Sequence, residues 1–454
     1  MKRKQFIGTT AAFTAGSLIL PGFSCKRTGA SRLEETGRKN WAGNYEYKAR
    51  YLYAPESTAE VRELIGGLDR QKALGTRHCF NDMADSPVNQ ISTQNLISPM
   101  AIDEKAMTVT VGAGSRYGDI APELTARGYA LHNLASLPHI SIAGACATAT
   151  HGSGMQNGNL ATAVSGLEIV TGGGKVLEVK RDKEAYPLAG MVVHLGALGI
   201  LTRMTLDIQK AYEVRQDVFQ DLPLKSLQEN FREIMDAGYS VSLFTDWQDK
   251  KVSQVWIKRR MDRNPEELGG DFFGARAATR DLHPITRLSA ENCTPQMGVP
   301  GPWYERLPHF KMGFTPSSGK ELQSEFFIPL ENALDAILAV EKMGTAIGPE
   351  LEITEIRSIA ADDLWMSPCY QQDCITIHFT WKQHPEAVGR LIPRIENELK
   401  PFGVRPHWGK LFTLDGEYLK TRYPRLPDFL ELARNCDPHG KFKNAYLERT
   451  IYLS

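Results

Sequence analysis

The chain has 454 residues with 53 basic and 53 acidic side chains, so its formal net charge is zero. Its mean hydropathy of −0.31 and 42% hydrophobic residues are typical of a globular protein with enough apolar material for two or three domains. The even charge balance argues against a protein that coats nucleic acid, and beyond the N-terminal segment no apolar run is long enough to span a bilayer.

The N-terminus has the layout of an export signal. Residues 2–4 are basic, and they precede a mildly apolar stretch over residues 6–20 that is too short and too weak for a membrane helix. Residues 3–7 (RKQFI) are similar to a twin-arginine signal with Lys in the second basic place, while Cys25 leaves a lipid-anchored form open. We therefore expect an exported, periplasmic protein and exclude residues 1–29 from the fold predictions.

Short strands and helices alternate in the first part of the chain. Residues 57–68 are predicted to form an amphipathic helix capped by their first serine, and residues 119–127 a second helix with its proline in the first turn. Strands are predicted at residues 106–111 and on both sides of the glycine turn 172–174. No G-x-G-x-x-G motif opens directly into a helix, so the pattern does not support a Rossmann nucleotide site.

Longer strands are predicted after residue 211. The strand-like runs are 241–244, 253–257 and 374–381, and the helices are 330–342 and 385–399. Residues 263–316 are punctuated by Gly and Pro and are predicted to form long ordered loops over a site. This alternation indicates a separate α+β domain in which helices cover a sheet.

The seven cysteines are scattered and lack the close spacing of a zinc or thioredoxin-like motif. Cys369 and Cys374 are close enough in sequence to pair across a turn, and free, partly buried thiols are the alternative. The sequence therefore predicts no metal site and specifies no disulfide.

Two segments have the composition of ligand-binding loops. Residues 75–81 (GTRHCFN) follow an apolar segment and offer backbone N–H groups and a cation to a pyrophosphate, although an ordinary turn has the same composition. Residues 135–154 are small, hydroxylated or Gly, a lack of bulk that suits close approach to a planar or phosphate-bearing ligand. A Ser/Gly linker is the alternative for the second segment, but its two isoleucines and two histidines disfavour it.

A third cluster suits a polar site on a sheet face. Glu355 and Arg357 point to the same side of a strand, where a carboxylate and a guanidinium can bind vicinal hydroxyls. His378 and Thr380 repeat this spacing on a second strand, and Lys410 adds a cation behind an aromatic residue and a glycine. A surface ion pair would explain Glu355 and Arg357 alone, but three such clusters together favour a site.

Together these motifs closely resemble the alditol oxidases, which are polyol-oxidising flavoproteins of the vanillyl-alcohol-oxidase superfamily related to the aldonolactone oxidases. The resemblance is carried in order by residues 40–44, 75–81, 136–154, 196–199, 301–310, 354–368, 378–381, 407–410 and 440–444. It implies an α+β fold with a two-part FAD-binding domain of the vanillyl-alcohol-oxidase type. That domain would comprise residues 40–210 and the returning segment 411–454, with a substrate domain over 211–410 whose antiparallel sheet is covered by helices.

The resemblance also implies the site residues. Flavin contacts are expected from Gly75, Thr76, Arg77, His78, Cys79, Asn81, Ser136, Ser141, Gly144, Thr148, Ala149, Thr150, His151, Leu201 and His407. His78 is expected to carry FAD covalently, although Cys79 stands where the family pattern has Ser. The polyol site is expected from Ser136, Glu355, Arg357, Thr380 and Lys410, with His378 and His407 next to the flavin ring.

The implied activity is FAD-dependent oxidation of the terminal primary hydroxyl of alditols such as xylitol and sorbitol, with oxygen reduced to hydrogen peroxide. The hypothesis is that this hydroxyl loses its proton near His378 and Lys410 while its carbon passes hydride to the flavin, and that Glu355 and Arg357 orient the other hydroxyls. The expected partners are therefore a small polyol and oxygen, with no nucleic acid. A flavin dehydrogenase of polyols or sugar lactones that uses another acceptor is the main alternative. A carbohydrate-binding protein without catalysis is a second, disfavoured because His78 and Lys410 are both present.

Overall fold

Four β-sheets organise the part of the chain that the computed structural model describes, which is residues 32–33, 37–181, 186–263, 267–313 and 320–452. The expected export signal and Cys25 lie outside these residues. In chain order the strands are β1 (Arg32–Leu33), β2 (Tyr51–Tyr53), β3 (Gln71–Leu74), β4 (Asn89–Ser92), β5 (Ala101–Asp103), β6 (Thr108–Gly112), β7 (Tyr129–Ala130), β8 (Val164–Thr171), β9 (Val176–Lys180), β10 (Gly199–Asp207), β11 (Gln209–Lys210), β12 (Glu213–Pro223), β13 (Ser240–Thr245), β14 (Lys251–Arg260), β15 (Asp271–Phe272), β16 (Ala275–Ala277), β17 (Gly301–Pro302), β18 (Glu321–Pro329), β19 (Leu351–Ile359), β20 (Cys374–Lys382) and β21 (Arg405–Pro406).

The helices lie between and after these strands. In chain order they are α1 (Thr58–Gly67), α2 (Tyr117–Ala126), α3 (Ile142–Ala147), α4 (Leu188–Met191), α5 (Leu224–Glu229), α6 (Phe231–Met235), α7 (Ala333–Glu341), α8 (Gly344–Ile347), α9 (Pro385–Leu399), α10 (Gly416–Arg422), α11 (Leu426–Cys436) and α12 (Ala445–Leu447). Among the described residues, none of these helices is long and apolar enough to cross a membrane.

The first part of the chain contains three small sheets, one of them the antiparallel pair of β7 and β11. β2, β4 and β3 are parallel neighbours with β1 at the edge, while β5, β6, β10, β8 and β9 form an antiparallel sheet in that order. The predicted helix 57–68 is confirmed as α1, and the Ser57 side chain accepts the backbone N–H of Glu60 as an N-cap. This arrangement places the loop 75–81 directly at the end of β3.

The prediction for the second helix was wrong at its start. α2 begins at Tyr117, so Pro122 lies in the second turn instead of the first. The early start is possible because a neighbouring loop accepts the first N–H groups: Tyr117 donates to the Ile140 carbonyl and Gly118 to the Pro138 carbonyl at 2.7 Å.

The largest sheet follows in the second part of the chain. Its strand order is β15-β16-β12-β14-β13-β19-β20-β18-β21, with every pair antiparallel, and β17 pairs with β12. Ile356, Ile377 and Phe326 point to one face and join the core together with the apolar side of α9. Because side chains alternate along a strand, the residues between them point to the opposite face.

The C-terminal segment packs against the first part of the chain. The Gln71 backbone N–H donates to the Lys441 carbonyl at 2.9 Å, and the Lys441 ammonium donates to the Ile65 carbonyl at 2.6 Å. Asn444 donates to backbone carbonyls of the segment after residue 81. The end of the chain therefore supports the loop that follows β3.

Candidate active site

Strand register gathers three titratable side chains on the open face of the large sheet. In the β18–β20 pair Glu325 lies opposite His378, and in the β19–β20 pair Glu355 lies opposite His378 on the other side. Directly opposed residues of neighbouring strands are about 5 Å apart. Two carboxylates therefore flank one imidazole across three strands.

Glu325 contacts three other polar residues of this cluster, and the sequence analysis did not predict it as a site residue. Its side chain is 1% exposed; Oε1 accepts from Arg357 at 2.8 Å and lies 3.1 Å from His151 Nε2, while Oε2 accepts from the Lys410 ammonium at 2.6 Å. Burial alone would raise the pKa of Glu325, but Lys410, His151 and Arg357 hold it well below its usual range. The signal that could have found it is the alternation Glu321-x-Gln323-x-Glu325, which puts three polar side chains on one face of a strand.

Glu355 is held differently, with one oxygen bound and the other open. His309 Nε2 lies 2.7 Å from its Oε1. Its Oε2 lies 3.6 Å from Arg357 Nε and 3.7 Å from His378 Nδ1. Within the described residues, these two groups and His309 are the ion-pair partners of Glu355. Burial alone would raise the pKa of Glu355, but Arg357 and His309 hold it well below its usual range. His309 was not predicted as a site residue.

The charges of the cluster balance. Two carboxylates, Glu325 and Glu355, face two cations, Arg357 and Lys410, and all four side chains are largely buried. Burial lowers the pKa of Lys410 and Glu325 opposes that shift. Burial, together with Lys410, lowers the pKa of His378 to about 4, so its imidazole is neutral at neutral pH. Both ring nitrogens of His378 lack a hydrogen-bond partner among the described residues, so it is free to exchange a proton with a ligand.

One elongated cavity connects this cluster to the loop after β3. The predicted site residues that line it are Gly75, Thr76, Arg77, His78, Cys79, Ser136, Ser141, Gly144, Thr148, Thr150, His151, Leu201, Glu355, Arg357, His378, Thr380, His407 and Lys410. His283 and Ile285 also line it, as do His309 and Phe310, which places parts of the 263–316 segment over the site.

Asn81 and Ala149 are outside this lining. The Asn81 amide donates to the carbonyls of Trp408 and Lys410, both at 2.8 Å, so it fixes the loop that carries Lys410. Ala149 is fully buried with a left-handed φ of 54°. In the loop that carries Lys410, the Gly409 backbone N–H donates to His407 Nδ1 at 3.1 Å, which orients the His407 ring at the cavity wall.

The wall of the cavity near the loop 75–81 fits a large planar cofactor such as FAD. A Cβ at Gly75 or at Gly144 would lie 2.8 Å from Ser141 Oγ, so glycine at both positions leaves this side chain room in its observed rotamer. Ser141 Oγ, His78 Nε2 and both ring nitrogens of His139 are buried without a hydrogen-bond partner among the described residues. Buried polar atoms normally have partners, and a bound cofactor would supply them.

His78 is held in a fixed orientation at this wall. Trp41 stacks on its ring at a centroid distance of 5.1 Å, and Thr76 Oγ1 lies 3.2 Å from its Nδ1. Burial, together with His139, lowers the pKa of His78 to about 3, so the imidazole is neutral and nucleophilic at neutral pH.

The family of the FAD binding domain matches residues 49–180, and the family of D-arabinono-1,4-lactone oxidase matches residues 315–450. An alditol oxidase from Streptomyces sp. is 46% identical over 415 residues, which cover 91% of this chain and 98% of that protein. The L-gulonolactone oxidase of Mus musculus is 25% identical and the L-gulono-1,4-lactone dehydrogenase of Mycobacterium tuberculosis 27% identical, at the same two coverages.

A solved structure shares the fold. The crystal structure of cholesterol oxidase from B. sterolicum superposes with a TM-score of 0.73 at 14% identity, covering 96% of this chain and all of that one. The predicted α+β architecture with an FAD-binding part is therefore confirmed.

Proposed function

This chain belongs to the alditol oxidase family of FAD-dependent oxidoreductases, and we propose that it oxidises the terminal primary hydroxyl of alditols such as xylitol and sorbitol to the aldose, with oxygen reduced to hydrogen peroxide. The observation that carries the proposal is the balanced polar cluster at one end of the cavity, where Glu355 Oε2, Arg357 Nε and His378 have unused hydrogen-bonding capacity within the described residues. A ligand rich in hydroxyls supplies both the donors and the acceptors that these groups need.

Three side chains, His378, Lys410 and Glu325, accept the proton and stabilise the developing charge. The wall formed by Gly75, His78 and Ser141 would hold FAD, which would supply the acceptor for the hydride equivalent of the carbinol carbon and the route of its electrons to oxygen. The neutral imidazole of His378 accepts the proton of the reacting hydroxyl. The Lys410 ammonium, held by Glu325 at 2.6 Å, keeps further N–H donors for the oxygen on which negative charge develops.

The remaining side chains of the cluster orient the substrate. Glu355 accepts hydrogen bonds from hydroxyls and Arg357 donates them, so adjacent hydroxyls of a polyol are bound in a defined order. Ser136 Oγ lies 3.5 Å from the Arg357 guanidinium and Thr380 lines the same end of the cavity, so both are placed to contact the chain of the polyol. The catalytic role thus falls to His378 and Lys410 and the binding role to the others.

We further propose that FAD is attached covalently through His78. The ring is neutral, oriented by Trp41, and carries an unpartnered Nε2 within the described residues. Replacement His78→Ala should yield protein that releases its flavin on acid precipitation, while the unmodified protein keeps the yellow colour in the pellet. Release from both proteins would contradict the covalent link without affecting FAD binding itself.

Export remains a proposal that rests on the N-terminal sequence. The expected result is recovery of mature protein in the periplasmic fraction with its N-terminus beyond residue 20. Mass spectrometry of a Cys25→Ser variant would distinguish lipidation at Cys25 from cleavage without lipidation, because only a lipidated form would lose acyl mass. Full-length protein retained in the cytoplasm would contradict export.

Peroxide production tests the proposed reaction. Flavin-loaded protein is incubated in air with xylitol, sorbitol or L-gulono-1,4-lactone, and peroxide is measured with a coupled peroxidase. We expect peroxide with both alditols and a much slower rate with the lactone, because a lactone ring places its hydroxyls differently on Glu355 and Arg357. Alditol oxidation with an artificial acceptor but without peroxide would identify a dehydrogenase, and activity confined to the lactone would contradict the alditol assignment.

A further inference from the structure

A lysine is buried behind the substrate-binding cluster. Lys258 lies near the C-terminal end of β14 with 1% exposure, and no role in the reaction described above uses it. Its ammonium contacts three acceptors: the carbonyl oxygen of Leu307, the carbonyl oxygen of Pro308 at 3.2 Å, and Nδ1 of His309 at 3.0 Å. An ammonium group has three N–H donors and no acceptor, so these three atoms match it one for one.

This contact determines which nitrogen of His309 carries the proton. Because Lys258 donates to Nδ1, Nδ1 is the acceptor, and in a neutral imidazole the proton is then on Nε2. Burial and the neighbouring Lys258 lower the pKa of His309 to about 4, so the ring is neutral. The Nε2–H accordingly donates to Glu355 Oε1 at 2.7 Å.

The packing around His309 fixes the ring plane but not the tautomer. Phe244 and Trp256 meet the ring edge-on at centroid distances of 5.6 and 5.2 Å, and its backbone N–H donates to the Ser136 carbonyl at 3.2 Å. Without Lys258, the ring would be free to carry its proton on Nδ1. The lone pair of Nε2 would then face Glu355 Oε1 and repel it.

From this chain of contacts we propose that Lys258, acting through His309, is a positioning residue that keeps Glu355 a fixed, ionised acceptor for the hydroxyls of the substrate. The inference rests on the proposed alditol oxidation. It adds that Lys258, which does not touch the substrate, determines how tightly the polyol binds. With Oε1 bound to His309, only Oε2 of Glu355 is presented to the cavity, and it is oriented.

Replacement of the lysine tests the proposal. The limiting rate of flavin reduction and the apparent Kd for xylitol are measured anaerobically for unmodified protein, Lys258→Met and the control Lys251→Met. Lys251 is the partly exposed first residue of the same strand and pairs with Asp221 at 2.9 Å. We expect Lys258→Met to raise the xylitol Kd roughly 10- to 100-fold, the effect of losing a charge-assisted hydrogen bond, while the limiting rate changes less than about threefold. The control is expected to leave both constants unchanged.

A pair of substitutions at His309 separates positioning from simple packing. A glutamine at this place has an amide oxygen that can accept from Lys258 and an amide nitrogen that can donate to Glu355. His309→Gln therefore preserves the direction of both hydrogen bonds. His309→Leu fills the space without either bond. We expect His309→Gln to bind xylitol at least tenfold more tightly than His309→Leu, whereas equal affinities would overturn the proposal. This comparison stands even if Lys258→Met does not fold.

The pH dependence gives a third readout. Burial lowers the pKa of Lys258 to about 7, with Glu355 and Cys293 opposing the shift and Arg357 adding to it. As the pH rises through that value the ammonium loses a donor, so the xylitol Kd should rise above about pH 7. Of the groups facing it, His309 has a pKa of about 4, Cys293 of about 12 and Glu355 well below its usual range, so none titrates there. The rise should be absent in Lys258→Met.

The outcomes distinguish this inference from the proposed function. If xylitol does not reduce the flavin of unmodified protein, the proposed function fails first. If xylitol does reduce it, but folded, flavin-loaded Lys258→Met binds xylitol as tightly as unmodified protein, then the inference fails and the proposed function stands.

Discussion

Lys410 and Glu325 form the closest ion pair of the cluster, at 2.6 Å, and their separation in sequence is 85 residues. The pair is almost completely buried, so removing one partner leaves an uncompensated charge next to the reacting hydroxyl. His151 and Arg357 also contact Glu325, which makes this carboxylate the common counter-ion of the site. Replacing Lys410 and replacing Glu325 therefore test two different roles in this pair.

Replacement Lys410→Met should remove the cation that stabilises developing negative charge. We expect the limiting rate of anaerobic flavin reduction to fall about 10²- to 10³-fold, the usual effect of losing one such donor, while the xylitol Kd changes much less. Stopped-flow absorbance measures both constants, and Lys420→Met on the exposed side of α10 is the control. Reduction at a near-normal rate would exclude Lys410 from the mechanism.

Replacement Glu325→Gln should act through the charge of Lys410. Burial lowers the pKa of Lys410 and Glu325 opposes that shift, so loss of the carboxylate lowers the pKa further. The ammonium form is then lost at a lower pH, and the alkaline limb of the reduction rate should move to lower pH. The exposed Glu331→Gln provides the control. An unchanged limb together with a normal rate would show that Glu325 is not the counter-ion that matters.

The sequence predicted the site unevenly at this scale. Glu355 and Arg357 could be predicted because the strand period places both on one face within three residues. Glu325 and Lys258 could not be assigned, since their partners lie at least 32 residues away in sequence and depend on which strands pair. Asn81 was expected to contact the cofactor, but the structure gives it the carbonyls of Trp408 and Lys410.

At the scale of elements, two loops from opposite ends of the chain are joined. The Phe80 backbone N–H donates to the Gly409 carbonyl at 2.7 Å, next to the Asn81 contacts, so hydrogen bonds connect the loop with His78 to the loop with Lys410. The strand and helix signals were strong enough to predict α9 at its observed bounds. The start of α2 was predicted wrongly because its first N–H groups bond to a loop about 20 residues later in the sequence, which the local pattern does not reveal.

Asn444 is the test residue for this scale. Its amide nitrogen donates to the carbonyls of residues 82, 83 and 85 at 2.8 to 3.2 Å, and as the N-cap of α12 its amide oxygen accepts the Leu447 N–H at 3.0 Å. We expect Asn444→Ala to lose about 2–3 kcal/mol of unfolding free energy because a cap and several buried carbonyls lose their partner. Denaturant unfolding measures the loss, and Asn397→Ala on the exposed side of α9 should stay within about 0.5 kcal/mol. A loss no larger than that of the control would show that the contact is dispensable.

At the scale of the whole molecule, one cavity extends from the first part of the chain to the open face of the large sheet. His78 and Ser141 of the cofactor wall line the same cavity as Glu355 and Lys410 of the polar cluster. Composition and periodicity predicted the α+β class and the helix-covered sheet, and the resemblance supplied the cofactor. The strand order β13-β19-β20-β18 was not predictable, because antiparallel neighbours are chosen by tertiary packing and not by local pattern.

We propose that this cavity brings an alditol and FAD together for oxidation by oxygen. The most direct measurement is the flavin absorbance of purified holoprotein mixed anaerobically with xylitol and then exposed to air. We expect loss of the visible flavin bands on mixing and their rapid return in air, with one peroxide formed per flavin reoxidised. Flavin bands that stay unchanged in xylitol and sorbitol would contradict the account.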